Sequence, residues 1–218
     1  MVVAAIYNQP HHGRLPGDVA IWASADAGAT WTQRADATRH EPHTAWFNHA
    51  LGIARNRDLI VVTSGRELSA VEAGKPAQHV RFFSPVTARS ADRGHTWSVL
   101  ANVPDAPDGL KLIPFGNIEA GADGALRVAA YTFTGKDQQR AGPRVDTCYV
   151  LRSADDGASW AIQSAFGTPA ANETDIMHVG GGRWLAAARN LGQTEGRRAH
   201  GVDLYVSDDD AATWRLLH

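Results

Sequence analysis

Ser153-Ala-Asp155-Asp-Gly157-Ala-Ser159-Trp160 is one of four copies of a single octapeptide. The others are Ser24-Ala-Asp26-Ala-Gly28-Ala-Thr30-Trp31, Ser90-Ala-Asp92-Arg-Gly94-His-Thr96-Trp97 and Ser207-Asp-Asp209-Asp-Ala211-Ala-Thr213-Trp214, at steps of 66, 63 and 54 residues. The shared pattern, S-x-D-x-G-x-[ST]-W, has the chemistry of a turn. The Asp carboxylate accepts from nearby backbone N–H groups, Gly supplies a positive φ, and Trp anchors the hairpin in the core. Asp26, Asp92, Asp155, Asp209, Trp31, Trp97, Trp160 and Trp214 are therefore read as fold residues. Ala211 stands where the other copies have Gly; if that position requires a positive φ, the fourth turn is strained or altered.

Working outward, each copy follows a short strand-like run: Val19 to Ala23, Val80 to Phe83, Cys148 to Arg152 and Asp203 to Val206. Upstream of the last three copies lies a second motif of strand, tight polar turn and strand, in Leu51 to Val62, Ile118 to Ala130 and Ile176 to Ala188. Two hairpins per period make four short antiparallel strands, which is one blade of a β-propeller. Helical periodicity is absent, and 21 Gly with 10 Pro argue against it. The expected fold class is all-β, a β-propeller in one domain over 1–218. Blades are expected at about 1–40, 41–105, 106–166 and 167–218.

Composition narrows the function. With 21 Lys and Arg against 23 Asp and Glu, the formal charge of −2 offers no electrostatic footprint for nucleic acid or an anionic membrane. One cysteine, Cys148, rules out an intramolecular disulfide and a cysteine-based metal centre, and reads as a buried small hydrophobe. No apolar run approaches the roughly 20 residues of a membrane helix, and the N-terminal residues lack the pattern of a signal peptide. Localisation stays open.

The octapeptides resemble Asp boxes, and the chain is similar to the Asp-box (BNR) sialidase superfamily over most of its length. The resemblance implies a six-bladed propeller with the boxes between third and fourth strands, on the face away from the active site. It also implies an exo-α-sialidase-like glycoside hydrolase that releases terminal sialic acid from glycoconjugates, retaining through a tyrosine nucleophile, with no cofactor and no catalytic metal. A sialylated glycan is then the expected partner.

Within that resemblance, Asn172-Glu173-Thr-Asp175 through Arg189-Asn190 is similar to a sialidase segment in which Glu and Arg also lie 16 positions apart. Glu173 opens an innermost strand and Arg189 ends the next, so antiparallel pairing brings both to one end of the blade. A guanidinium there can clamp a carboxylate. The resemblance gives Glu173 the role of base toward the tyrosine and Arg189 that of carboxylate ligand. The family's acid/base Asp lies in a first-blade loop; here Asp18 is the only carboxylate of that loop, and it could equally hold the start of the strand at Val19. His11 and His12 are alternative donors.

Spacing makes Asn48, Phe115 and Glu173 equivalent, and likewise Ala50, Asn117 and Asp175. Asn48, His49, Asn117 and Asp175 are thus expected to line the channel mouth and touch substrate. His40, His43 and His49 lack a third partner at metal-ligand spacing, so no metal is expected. Arg140, Arg144, Arg197 and Arg198 fall in expected loops.

Aligning the repeats on Leu59, Leu126 and Trp184 puts the next box serine 31, 27 and 23 residues on. A similar distance before Ser24 lands at Met1 and Val2. The chain is therefore expected to begin at the second strand of its first blade and to hold about four blades of the six. The missing blades would come from the rest of the gene product or another chain, and the two other clamp arginines and the tyrosine would lie in the missing strand and blades. By itself the chain is expected to be inactive. Two other readings remain: a non-catalytic Asp-box propeller binding carbohydrate or protein, and another glycoside hydrolase on the same scaffold using Asp18 and Glu173.

Overall fold

A computed structural model describes residues 1–70, 77–134, 145–190 and 201–217, with backbone strands at 193–194 and 197–198. Every regular element among the described residues is a β-strand. Arg140 and Arg144 lie outside the described residues, as do the side chains of Arg197 and Arg198.

Among the described residues the strands form a three-, a nine-, a four- and a two-stranded sheet, and by repeated register they group into four units. The first holds β1 (Val2–Tyr7), β2 (Val19–Ser24) and β3 (Thr32–Asp36) in a three-stranded sheet. The second holds β4 (Thr44–Ile53), β5 (Leu59–Leu68), β7 (Val86–Ser90) and β8 (Ser98–Leu100), with the short β6 (His79–Phe82) also on β5. The third runs β9 (Ile113–Ala120), β10 (Leu126–Phe133), β11 (Asp146–Ser153) and β12 (Ala161–Phe166). The fourth runs β13 (Ala171–Gly180), β14 (Arg183–Asn190), β17 (Gly201–Ser207) and β18 (Arg215–Leu216), with β15 (Gln193–Thr194) and β16 (Arg197–Arg198) as a separate hairpin. The strand that feeds the second octapeptide is β7. The expected run at Val80 to Phe83 is instead largely β6, set apart because Pro85 cannot donate to a ladder.

The register repeats from unit to unit. Val2, Leu59, Leu126 and Trp184 each face the first serine of an octapeptide: Ser24, Ser90, Ser153 and Ser207. This makes β1 the counterpart of β5, β10 and β14. Leu59, Leu126 and Trp184 are 3%, 0% and 0% exposed, whereas Val2 is 43% exposed. The difference follows from packing: β5, β10 and β14 each carry an inner strand, and β1 pairs only with β2 among the described residues.

The octapeptides form one repeated turn. In the first, Asp26 accepts from the Thr30 amide at 2.9 Å and the Thr30 hydroxyl at 2.6 Å, and the Ser24 hydroxyl accepts from the Gly28 amide at 2.8 Å. Asp92, Asp155 and Asp209 do the same with Thr96, Ser159 and Thr213. Two successive residues take a positive φ in each copy, such as Asp156 (59°) and Gly157 (85°). In the fourth copy Ala211 keeps this geometry at φ 67°, in the region where a Cβ is strained, and its buried methyl joins the core. Trp160 is buried and donates to Thr87 of the preceding unit, and Trp214 donates to Ser164 likewise. Trp31 departs from the expected anchoring: it is 40% exposed and its indole N–H returns to the Gly28 carbonyl of its own turn.

Apolar clusters fill the spaces between successive units. Val19, Ile21 and Val61 join the first to the second; Ile60, Val62, Leu126, Leu151 and Trp160 the second to the third; Cys148, Phe166, Ile176 and Trp184 the third to the fourth. Sheets packed on both faces explain why β5 and β10 are buried along almost their whole length. The second and third units also fuse into one sheet through a parallel contact of β4 with β9 at Ala50/Gly116, Leu51/Asn117 and Gly52/Ile118. Gly52 makes this approach possible, since a Cβ there would stand 2.2 Å from the Ile118 carbonyl oxygen.

Candidate active site

Antiparallel order gives the units two distinct ends. One carries the octapeptides and the tight turns after β4, β9 and β13. The other carries the starts of β4, β9 and β13, the ends of β5, β10 and β14, and the 8–18 loop. Glu173 and Arg189 meet at this second end.

Their geometry comes from a bulge. Asn172 faces Arg189 and Thr174 faces Ala188, so Glu173 is an extra residue without a partner on β14. A bulge re-aims a side chain, and here it turns Glu173 to the guanidinium beside it. Arg189 Nη1 lies 2.6 Å from Glu173 Oε2, with the two side chains 42% and 22% exposed. Arg189 Nε donates to Asn172 Oδ1 at 2.8 Å, and Asn172 Nδ2 donates to Asp146 at 2.5 Å. Asn172 and Asp146 are fully buried. A half-open ion pair therefore stands on a buried polar base, an arrangement able to hold a carboxylate and to accept a proton beside it.

The bulge also corrects the equivalence expected from spacing. Ser64 and Arg189 are each the fifth residue after the one facing an octapeptide's first serine, and they pair with Asn48 and Asn172. Asn48 thus corresponds to Asn172 rather than to Glu173. Spacing missed this because β4 and β13 place their extra residue on opposite sides of the asparagine.

Asp18 is buried at the end of the 8–18 loop, with both carboxylate oxygens engaged: Thr38 donates at 2.9 Å and His40 Nδ1 lies at 2.6 Å. Thr38 also accepts from the Val19 amide, so this group fixes the start of β2. Asp36, hydrogen-bonded by Asn8 and Gln33, is a second carboxyl of this cluster. Burial, and then the charge of Asp18, push Asp36 above the usual carboxylate range. Tyr7 donates to the Leu15 carbonyl, and burial pushes its phenol up to about 12.

The remaining expected residues line the inner strands. Asn48, His49 and Asn117 border a cavity of about 420 Å³ beside β1, together with Phe47 and Phe115. His49 sets its ring nitrogens 2.8 Å from the carbonyls of Phe47 and Ala5, which ties β4 to β1. Asn117 donates to Asp175 through its backbone at 2.8 Å and its side chain at 3.0 Å, which ties β9 to β13. Asn48 Oδ1 accepts from Arg66, whose guanidinium lies 3.8 Å from the Phe47 ring centre and 4.3 Å from that of Phe82.

Reading the sequence missed Arg66, Asp36, Asn172 as a ligand of Arg189, and Asp146. Register could have exposed Asn172, but Asp146 belongs to another unit and nothing in local spacing marks it.

No protein-family model matches the sequence. Solved structures do match in shape. The Hadza microbial sialidase Hz136 superposes with a TM-score of 0.72 at 18% identity, over 99% of this chain and 43% of that one. The chain has a sialidase-like fold. Trypanosoma rangeli sialidase gives 0.67 at 18% identity, over 98% of this chain and 35% of its own. A NanB sialidase mutant from Streptococcus pneumoniae gives 0.71 at 12% identity, over 99% and 49%. The chain thus spans less than half the length of each of these three sialidases.

Proposed function

We propose that the protein to which this chain belongs is an exo-α-sialidase-like glycoside hydrolase. The observation that carries this reading is the Glu173–Arg189 contact of 2.6 Å, half-open at the loop-bearing end of a sialidase-like fold. In this reading Arg189 holds the carboxylate of a terminal sialic acid. Glu173 takes the phenolic proton as a tyrosine outside residues 1–218 attacks the anomeric carbon, and the glycosidic oxygen leaves with a proton from the acid. A neutral phenol suits an anomeric centre that carries a carboxylate, since an anionic nucleophile would be repelled; sialidases are one exception to the two-carboxylate scheme of glycosidases. Asp18, through its half-buried partner His40, is assigned the acid side, and Asn48, His49, Asn117 and Asp175 the lining of the sugar site.

The test is hydrolysis of a fluorogenic sialoside by the full-length protein. Glu173→Gln and Arg189→Ala are each expected to lower kcat/KM by about a hundredfold or more. Equal activity in all three proteins would sink the assignment. The chain of 218 residues alone is expected to show no turnover.

A further inference from the structure

We propose that Asp146 of the third unit is a positioning residue for Arg189 of the fourth, acting through the carboxamide of Asn172. An Asn side chain has a donor end and an acceptor end, and a carboxylate only accepts. With Nδ2 donating to Asp146 at 2.5 Å, Oδ1 must face the other way, where it meets Arg189 Nε at 2.8 Å. The flipped amide would set oxygen against oxygen on one side and N–H against N–H on the other. Asp146 thereby selects the orientation that receives the arginine.

The relay is stiff. Asn172 is 0% and Asp146 1% exposed, so neither finds water as a substitute partner. The Asp146 amide donates to the Pro169 carbonyl at 2.8 Å, and across the ladder Asp146 faces Phe133. Arg189 itself is open, and a long side chain in water samples many rotamers. Holding Nε on Asn172 and Nη1 on Glu173 fixes the plane of the guanidinium. Nη2 makes no hydrogen bond among the described residues, and on a side chain 42% exposed it is the N–H group left for an anionic ligand. Only this last step rests on the proposed function.

The test reads the Arg189 Nε–H resonance in the 15N-labelled protein, identified by its loss in Arg189→Lys. Asn172→Ala is expected to speed its solvent exchange by about tenfold or more. Asp146→Leu removes the acceptor on the same branched skeleton and should act alike, whereas Asp146→Asn keeps one acceptor and should preserve most of the protection. Unchanged exchange in Asn172→Ala overturns the proposal, even if Asp146→Leu fails to fold. Free N-acetylneuraminate is then titrated, with Asn172→Ala expected to bind about tenfold more weakly. Exchange that responds as expected in a protein that does not bind N-acetylneuraminate supports the positioning role and overturns the proposed function instead.

Discussion

Asn48 and Asn172 occupy the same register position two units apart, and each turns its carboxamide oxygen to a guanidinium, Asn48 to Arg66 and Asn172 to Arg189. What differs is the surroundings. Arg66 is buried between Phe47 and Phe82, while Arg189 is 42% exposed and faces the bulged Glu173. One repeated device is closed into the core and the other is open to a ligand. The open one is the candidate site.

The fusion of the second and third units depends on one missing methyl. Gly52→Ala would place a Cβ 2.2 Å from the Ile118 carbonyl oxygen, and backbone cannot give way as a flexible side chain can. A loss of about 1–3 kcal/mol is expected in urea denaturation. Gly201→Ala is the control, since nothing lies within 4 Å of the added atom, and it should stay within about 0.5 kcal/mol of the parent.

Arg127 is a fully buried cation on β10. It donates to Asp123 at 2.9 Å and Gln163 at 3.1 Å, and lies 5.4 Å from the Trp184 ring centre. Asp123→Ala takes away its nearer carboxylate and leaves Asp210 at 3.7 Å, and is expected to cost about 1–3 kcal/mol. Arg127→Met should cost less, because Asp123 then keeps Arg152 at 2.7 Å and the buried site becomes apolar. Thermal or urea unfolding of the two variants gives the order, and the reverse order contradicts the account.

The octapeptide carboxylates predict an acid limit. Hydrogen bonds from Ser159 and Thr213, ahead of all other influences, hold Asp155 and Asp209 at about 2, and the Thr30 and Thr96 hydroxyls hold Asp26 and Asp92 below the usual carboxylate range. An Asp in the unfolded chain titrates near 3.9. Because the folded values are depressed, these groups stabilise the fold fully above about pH 4, and the contribution is lost as pH falls toward about 2. Stability measured between pH 5 and pH 2 should fall over this window, more shallowly in a double variant Asp155→Asn, Asp209→Asn. An identical slope in that variant excludes the octapeptides as the acid-sensitive element.

Much of the fold was legible because its signals are local. Ser153, Asp155, Gly157 and Ser159 close a turn among themselves, and a turn built from contacts four residues apart leaves its pattern in the sequence. The Glu173 and Arg189 pair was legible for a similar reason, as a hairpin brings its ends together at a fixed spacing. Asp146 was not, since it lies 26 residues from Asn172 on another unit. The octapeptide marks Trp31 as a core anchor because a Trp closes it in every unit, while the packing around that ring differs from unit to unit.

By itself, then, the sequence determined the turns, the antiparallel hairpins and the end of the unit at which Glu173 and Arg189 stand, all consequences of side-chain alternation and short hydrogen-bonded loops. Tertiary structure alone decided that a bulge points Glu173 at Arg189, that Asn48 matches Asn172, and that Asp146 underlies the site. Those outcomes depend on one-residue shifts in pairing and on the packing of one unit against the next. Register and burial are properties of several strands at once, and no single stretch of chain encodes them.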